Sequence, residues 1–456
     1  MIGAPDKTPC PNGRGGLFFL DKTGNPVYTV YSDFIREAER VGDKLGKAAV
    51  KWLVYLRAML SWMCAAAITG VVCGVIGTVF HLGVERVTAL RAEHGWLVFA
   101  LPLLGLLIVA IYKLFRTEGM STNDVLDEIH FGRGVSLGLL PSIFFSTLLT
   151  HLGGGSVGRE GAALQMGGAI GFQTGRLLRL DDSNMRTMTI IGMAAFFAAL
   201  FGTPMAAAVF ALEITTVGRV FYAQLFPCLV AALIACRVSA LFGVAPTAFA
   251  LDAPPVGTWM MLRVGVLAVL GALLSVVFCE AIHFACAQFE KRLPNPWLRI
   301  AVGGGLIAAL TLLLGTTDYN GAGMDVIARA VEQGEAESAA FALKLLFTAL
   351  SLGAGFKGGE VVPSFFVGAA FGCVAGPLLG LPAAFAAAAG LIAVFSGAVN
   401  CPLASTFLAL ELFGGAGVPY FALVCAISFV LSGYSGVYSS QRILYNKVKA
   451  DYTEST

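Results

Sequence analysis

From about residue 53 to residue 434 the chain is a succession of continuous apolar blocks, several of them too short to cross a bilayer. They lie near 53–80, 96–115, 136–152, 160–178, 187–200, 204–217, 222–243, 259–288, 298–314, 340–354, 363–378, 384–398, 402–413 and 419–434. A spanning helix needs about 20 apolar residues. Blocks of a dozen, separated by Gly and Pro, predict discontinuous helices whose ends meet near the midplane. Irregular backbone at that depth must be buried in protein or line a wet cavity, because lipid cannot satisfy its polar groups. Secondary transporters build binding sites this way. Charged residues make up 13% of the chain, against about 25% in soluble proteins. The runs do not alternate, which excludes a lipid-facing β-barrel and leaves an all-α integral membrane protein.

The same glycine-rich phrase occurs twice. Gly153, Gly155 and Gly158 lead to Glu160, and Gly353, Gly355 and Gly358 lead to Glu360, 200 positions on (360 − 160). Each glutamate opens an apolar block, so each stands near a helix start, where free N–H groups and the positive dipole end favour an anion. A second match pairs Gly192 with Gly390, Pro204 with Pro402, Ala206 with Ala404, and Ala211-Leu212-Glu213 with Ala409-Leu410-Glu411. Two structural halves follow, residues 52–243 and 244–440; matching alone does not say whether they run parallel or inverted.

The flanks differ. Residues 1–51 hold a Pro- and Gly-rich tail, then an amphipathic pattern from Asp33 to Lys51 with Arg36, Arg40, Lys44 and Lys47. Basic residues beside a first span favour a cytoplasmic amino end. Residues 441–456, with Arg442, Lys447 and Lys449, read as a short cytoplasmic tail without a regulatory domain. No secretory pattern stands at the amino end.

Other chemistries find little support. Both phrases contain G-x-G-x-x-G, but no strand precedes them and no βαβ unit follows, so a dinucleotide site is excluded. The 10 cysteines and 5 histidines show no metal spacing, and Cys64, Cys73 and Cys228 read as small packing residues. No H-E-x-x-H or G-x-S-x-G is present, which argues against a membrane enzyme. A net charge of +2 gives no reason to expect nucleic acid. Neither metal nor dissociable cofactor is expected. Helix packing accounts for glycines such as Gly167, Gly168 and Gly368. It does not account for a glutamate in the same place twice, since a carboxylate at membrane depth costs about 3 kcal/mol. Glu213 and Glu411 end their blocks at matched positions and are expected to anchor backbone. Arg159 and Lys357 can attract anions or pair locally.

Gly158-Arg159-Glu160-Gly161, followed by Leu164-Gln165-Met166-Gly167-Gly168, resembles the gating-glutamate motif of the CLC chloride channel and transporter family. The resemblance runs from about residue 55 to 445. It implies a fold of two inverted repeats and a homodimer with one pore per subunit, joined through helices near 204–243 and 402–434. The departures point to one branch. Gly119-Met120-Ser121-Thr122-Asn123 stands at the first anion loop, Ala162 follows the gating motif, and Gly359-Glu360-Val361-Val362-Pro363 forms the second loop. Ile214 falls where chloride exchangers carry an inner proton-relay glutamate. This combination is similar to the bacterial CLC-type fluoride/proton antiporters, although Val362 replaces a threonine found in some of them. The resemblance implies Glu160 as gate and proton-coupling group and Glu360 as second proton carrier or gate partner. It also implies an anion set of Met120, Ser121, Gly158, Arg159, Gly161, Val361, Val362 and Tyr438. Fluoride or chloride, protons and membrane lipid are the expected partners, in a bacterial inner membrane. A chloride/proton antiporter or passive chloride channel of the same fold remains open, and a non-transporting membrane protein leaves the paired glutamates without a purpose.

Overall fold

The computed structural model describes residues 44–448, with side chains described from residue 51. The expected tail at 1–30, and Arg36, Arg40 and Lys449, lie outside the described residues. Sixteen α-helices make up the described chain, and their order falls into two sets of eight. The first set is α1 (Lys44–Glu93), α2 (Leu101–Leu114), α3 (Thr122–Phe131), α4 (Leu139–Leu152), α5 (Glu160–Leu177), α6 (Asp182–Phe201), α7 (Pro204–Glu213) and α8 (Leu225–Leu241). The second is α9 (Thr258–Arg292), α10 (Pro296–Leu314), α11 (Met324–Ala328), α12 (Ala340–Ala354), α13 (Val361–Leu378), α14 (Ala383–Val399), α15 (Pro402–Phe413) and α16 (Val418–Leu431). Proline stands in the first turn of α2 and α10, and again of α7 and α15, where a missing N–H costs nothing.

Among the described residues, seven helices are long and apolar enough to cross a membrane. The shorter apolar helices include α4, α7, α12, α14, α15 and α16. Large apolar side chains such as Leu103, Trp259 and Leu262 are exposed, as a lipid-facing surface requires. The centre is different: α5, α6, α13 and α14 are buried along nearly their whole lengths.

Glycine sets how closely these central helices cross. A Cβ on Gly192 of α6 would collide with the Gly167 carbonyl oxygen of α5, and one on Gly390 of α14 with the Gly368 carbonyl oxygen of α13. The same crossing is thus built once per half, by backbone contact between small residues. Gly192→Val should therefore destabilise the fold by about 1–3 kcal/mol or more, since overpacking here strikes backbone rather than a yielding side chain. A thermal melt of the detergent-solubilised variant that matches wild type would contradict this crossing.

Reciprocal capping fixes the relation of the halves. Glu213, the last residue of α7, accepts N–H bonds from Leu403 (3.2 Å) and Ala404 (2.8 Å) at the start of α15. Glu411 of α15 accepts from Met205 (3.0 Å) and Ala206 (2.9 Å) at the start of α7. Such an exchange arises only about a two-fold axis, so the halves are inverted. The expected anchoring of backbone by Glu213 and Glu411 is what the geometry gives.

α1 runs unbroken through residue 51, from the expected amphipathic segment into the first apolar block. The start of the segment after residue 440 packs back on the body. Arg442–Ile443 (β2) pairs in parallel with Thr216–Val217 (β1), and Lys447 Nζ donates to Asn400 Oδ1, Phe429 O and Ser432 Oγ. Cys64 is exposed, whereas Cys73 and Cys228 are buried as expected.

Candidate functional site

Two glycine loops bring two helix starts tip to tip. Gly158 N–H donates to Gly359 O and Gly359 N–H to Gly158 O, both at 2.7 Å. A Cβ on Gly358 would strike the Val157 side chain, and one on Gly161 would stand 2.9 Å from Gly359 Cα. Only glycine permits this approach. Glu160, the first residue of α5, is fully buried. Its Oε2 accepts the N–H of Val362, in the first turn of α13, at 3.4 Å, while its Oε1 has no hydrogen-bond partner. Glu360 caps α13 without a side-chain cap bond, and its buried Oε2 is also unpartnered. That oxygen stands 3.4 Å from where a Gly161 Cβ would be, so it faces the start of α5. Two carboxylates therefore stand at the positive ends of two opposed helices. Burial favours the neutral form of such a group and helix-end donors the charged form, so the two effects oppose each other.

A third element closes on the pair. Met120 O accepts from Lys357 Nζ at 3.4 Å, and that ammonium lies 4.4 Å above the Tyr112 ring. Asn123 Oδ1 accepts the Ser440 N–H at 3.1 Å, which ties the start of α3 to the Tyr438 segment. Gln165 Nε2, on α5, donates to Thr122 Oγ1 at 3.2 Å. Tyr438 is buried, its hydroxyl has no protein partner, and it feels the charges of both Glu360 and Glu160. Beyond it opens a cavity of about 410 Å³ whose walls include Tyr438, Ser439, Gln441, Glu280 and His283. Orphaned buried polar atoms are uncommon in proteins. Here Glu160, Glu360, Gln165 and Tyr438 each carry one. A hydroxyl and helix-start N–H groups can hold a small anion; a carboxylate in the same place can displace it.

The profile of the voltage gated chloride channel family matches residues 104–433. A "Chloride/fluoride channel protein" of Pseudomonas syringae pv. tomato is 36% identical over 395 residues, covering 85% of this chain and 87% of the relative. The chain belongs to the voltage gated chloride channel (CLC) family. The crystal structure of a CLC-type fluoride/proton antiporter superposes with a TM-score of 0.81 at 32% identity, over 84% of this chain and 98% of that one. An H(+)/Cl(-) exchange transporter of Vibrio cholerae is 27% identical over 388 residues, covering 76% of this chain and 80% of the relative.

As a CLC protein the chain is a multi-pass membrane channel or transporter and not an enzyme. Within this CLC fold the residues expected at the site divide. Glu160, Gly161, Glu360, Val361 and Val362 meet at the helix tips. Ser121 caps α3: its Oγ accepts the Asn123 N–H, and its own N–H donates to Asp124 Oδ2. The Gly158 N–H is committed to Gly359, and Val362 presents its N–H in place of a side-chain hydroxyl. Arg159 turns away to His81. Ile214 is fully buried and carries no proton, as its place in the sequence implied. Sequence reasoning quoted Gln165 in the gating motif without giving it a role at the site, and gave none to Glu280 or His283. The signal for Glu280 was available, an acidic residue inside the apolar block at 259–288.

Proposed function

We propose that this chain is a proton-coupled fluoride exporter, with Glu160 as a gate that competes with the anion for one set of donors. The carrying observation is the Val362 N–H directed at Glu160 Oε2 from the opposed helix start. Ionised, Glu160 occupies the donors itself. Protonated, it has less claim on them, leaves, and admits the anion. One site contested by a carboxylate and an anion couples their movements, so proton entry drives fluoride out. Glu360 is the second proton carrier or gate partner, since Ile214 cannot serve. Tyr438 supplies a hydroxyl, Gly161, Val361 and Val362 the helix-start backbone, and Met120 shapes the inner loop through its carbonyl. Arg159 supplies positive potential beside the gate.

Fluoride is preferred over chloride on two grounds. The Gly119-Met120-Ser121 and Gly359-Glu360-Val361 phrases resemble those of the fluoride branch, and two similar proteins carry fluoride in their names. Fluoride is small and tightly hydrated, and hydrogen-bond donors can replace part of its shell. The protein works as a homodimer in a bacterial inner membrane; exposed Leu233, Leu403 and Phe407 on α8 and α15 suit the subunit contact. Liposome efflux with a fluoride electrode, a chloride electrode and a pH record tests this. Fluoride efflux about tenfold faster than chloride is expected, a difference of about 1.4 kcal/mol, together with proton uptake. Equal rates for the two ions would remove the fluoride assignment, and anion flux without proton movement would make the protein a passive channel.

A further inference from the structure

Beside the gate a chain of side chains runs out to an exposed carboxylate. Glu85, exposed on α1, accepts from His81 Nε2 at 2.9 Å, four residues earlier on the same helix. His81 is buried, and its Nδ1 lies 2.8 Å from Arg159 Nη1. A guanidinium has donors only, so Nδ1 must accept and the ring proton must sit on Nε2, where Glu85 takes it. Both contacts agree on one neutral tautomer. Arg159 itself is adjacent to the gate, yet its Nε stands 4.0 Å from Glu160 Oε1, beyond hydrogen-bond reach, and that oxygen has no other partner. The carboxylate is thus left at ion-pair distance, without a hydrogen bond, while an imidazole takes the hydrogen bond of the guanidinium.

We propose that His81 is a positioning residue for the gate: by accepting a hydrogen bond from Arg159 it holds the guanidinium off Glu160 and leaves that carboxylate free to take up a proton. The inference rests on the gate reading of Glu160. A closed, charge-assisted Arg159–Glu160 pair would keep the carboxylate ionised and seated among the helix-start donors. Diverting Arg159 prevents that trap while keeping positive potential near the anion path. The charged groups facing His81 are Glu85 on its own helix and Arg159 from the loop before α5. Further along, buried His151 feels Arg159, Arg91 and Lys344, and Arg91 Nη1 donates to His151 O at 3.0 Å. Arg159 itself feels the carboxylates of Glu160 and Glu85, and its guanidinium gives its hydrogen bond to His81.

The test is anion flux against pH in proteoliposomes, read for fluoride and chloride alike. His81→Phe removes the acceptor and keeps the volume. Its flux at neutral pH should fall about tenfold, and its pH dependence should move to the acid side by about one to three units, because an opposite charge in contact holds a carboxylate ionised. His81→Gln, which retains an acceptor oxygen, should restore the wild-type profile. Glu85→Ala, at an exposed position that does not threaten folding, frees the imidazole tautomer and should give a smaller acid displacement. In the double variant His81→Phe/Arg159→Gln the displacement should vanish. A wild-type profile in His81→Phe, or a displacement that survives removal of Arg159, overturns the proposal. Wild-type flux that is itself independent of pH removes the gate reading beneath it, a result separable from the others.

Discussion

Glu160→Gln should abolish proton movement and leave fluoride flux slow or uncoupled. The substitution keeps the size of the side chain and removes its ability to ionise. Little in the surroundings depends on the charge for folding, because Arg159 keeps its hydrogen bond to His81. The carboxylate accepts one long hydrogen bond, from Val362 N–H at 3.4 Å, and Arg159 is not in hydrogen-bond contact. Ionising a carboxylate at this depth costs about 3 kcal/mol, so the neutral amide is tolerated at least as well. The functional loss is of another order. A neutral amide competes poorly with an anion for N–H donors, so the alternation between occupied and vacated states disappears. Proton flux should fall at least about a hundredfold, roughly 2.7 kcal/mol in barrier terms. Reconstituted protein with proton-coupled fluoride efflux equal to wild type would refute the gate assignment.

Much of this site was legible because it rests on local phrases. A glycine run that ends in glutamate and opens an apolar block announces a helix start, and α5 and α13 begin at Glu160 and Val361. Proline fixed other starts, at Pro204 and Pro402. Helix α3 was missed because Thr122–Phe131 is short and polar, although Ser121 and Asp124 carry the spacing of a capping box. Helix α11, at five residues, is too short to show periodicity. What the sequence could not supply is pairing across space. The inversion of the halves is visible only once Glu213 is found on the start of α15 and Glu411 on the start of α7. The same holds for Arg159, whose partner His81 lies 78 positions earlier on another helix. Ser121 and Gly158 were assigned to the anion by position in a motif, and their polar groups proved to be engaged in holding the loops themselves.

Glu360→Gln should lose proton coupling while retaining measurable anion flux, and this separates the two carboxylates. Glu360 does little for the fold by itself. It stands at the N-cap of α13 with no side-chain cap bond, so its contribution to stability is a dipole interaction of about 0.3–1 kcal/mol. A melting temperature close to wild type is therefore expected. Its unpartnered Oε2 faces the α5 start, and it shares electrostatic contact with Glu160 and with Lys357. On the proposed reading a proton leaving Glu160 needs a second base, and the resemblance to chloride exchangers puts the buried Ile214 where they carry a glutamate. Glu360, which feels the charge of Glu160, is the proposed carboxylate. Without it the gate can still open and close, so the anion passes, but protons no longer follow in step. Protons carried per anion should drop about tenfold or more. Because both groups would act on one proton route, Glu160→Gln/Glu360→Gln should lose no more proton flux than Glu160→Gln alone, a failure of additivity expected of residues that work as a unit. Wild-type stoichiometry in Glu360→Gln would reduce Glu360 to a neighbour of the gate and send the search for the inner base to Glu280 and His283, which line the cavity beyond Tyr438.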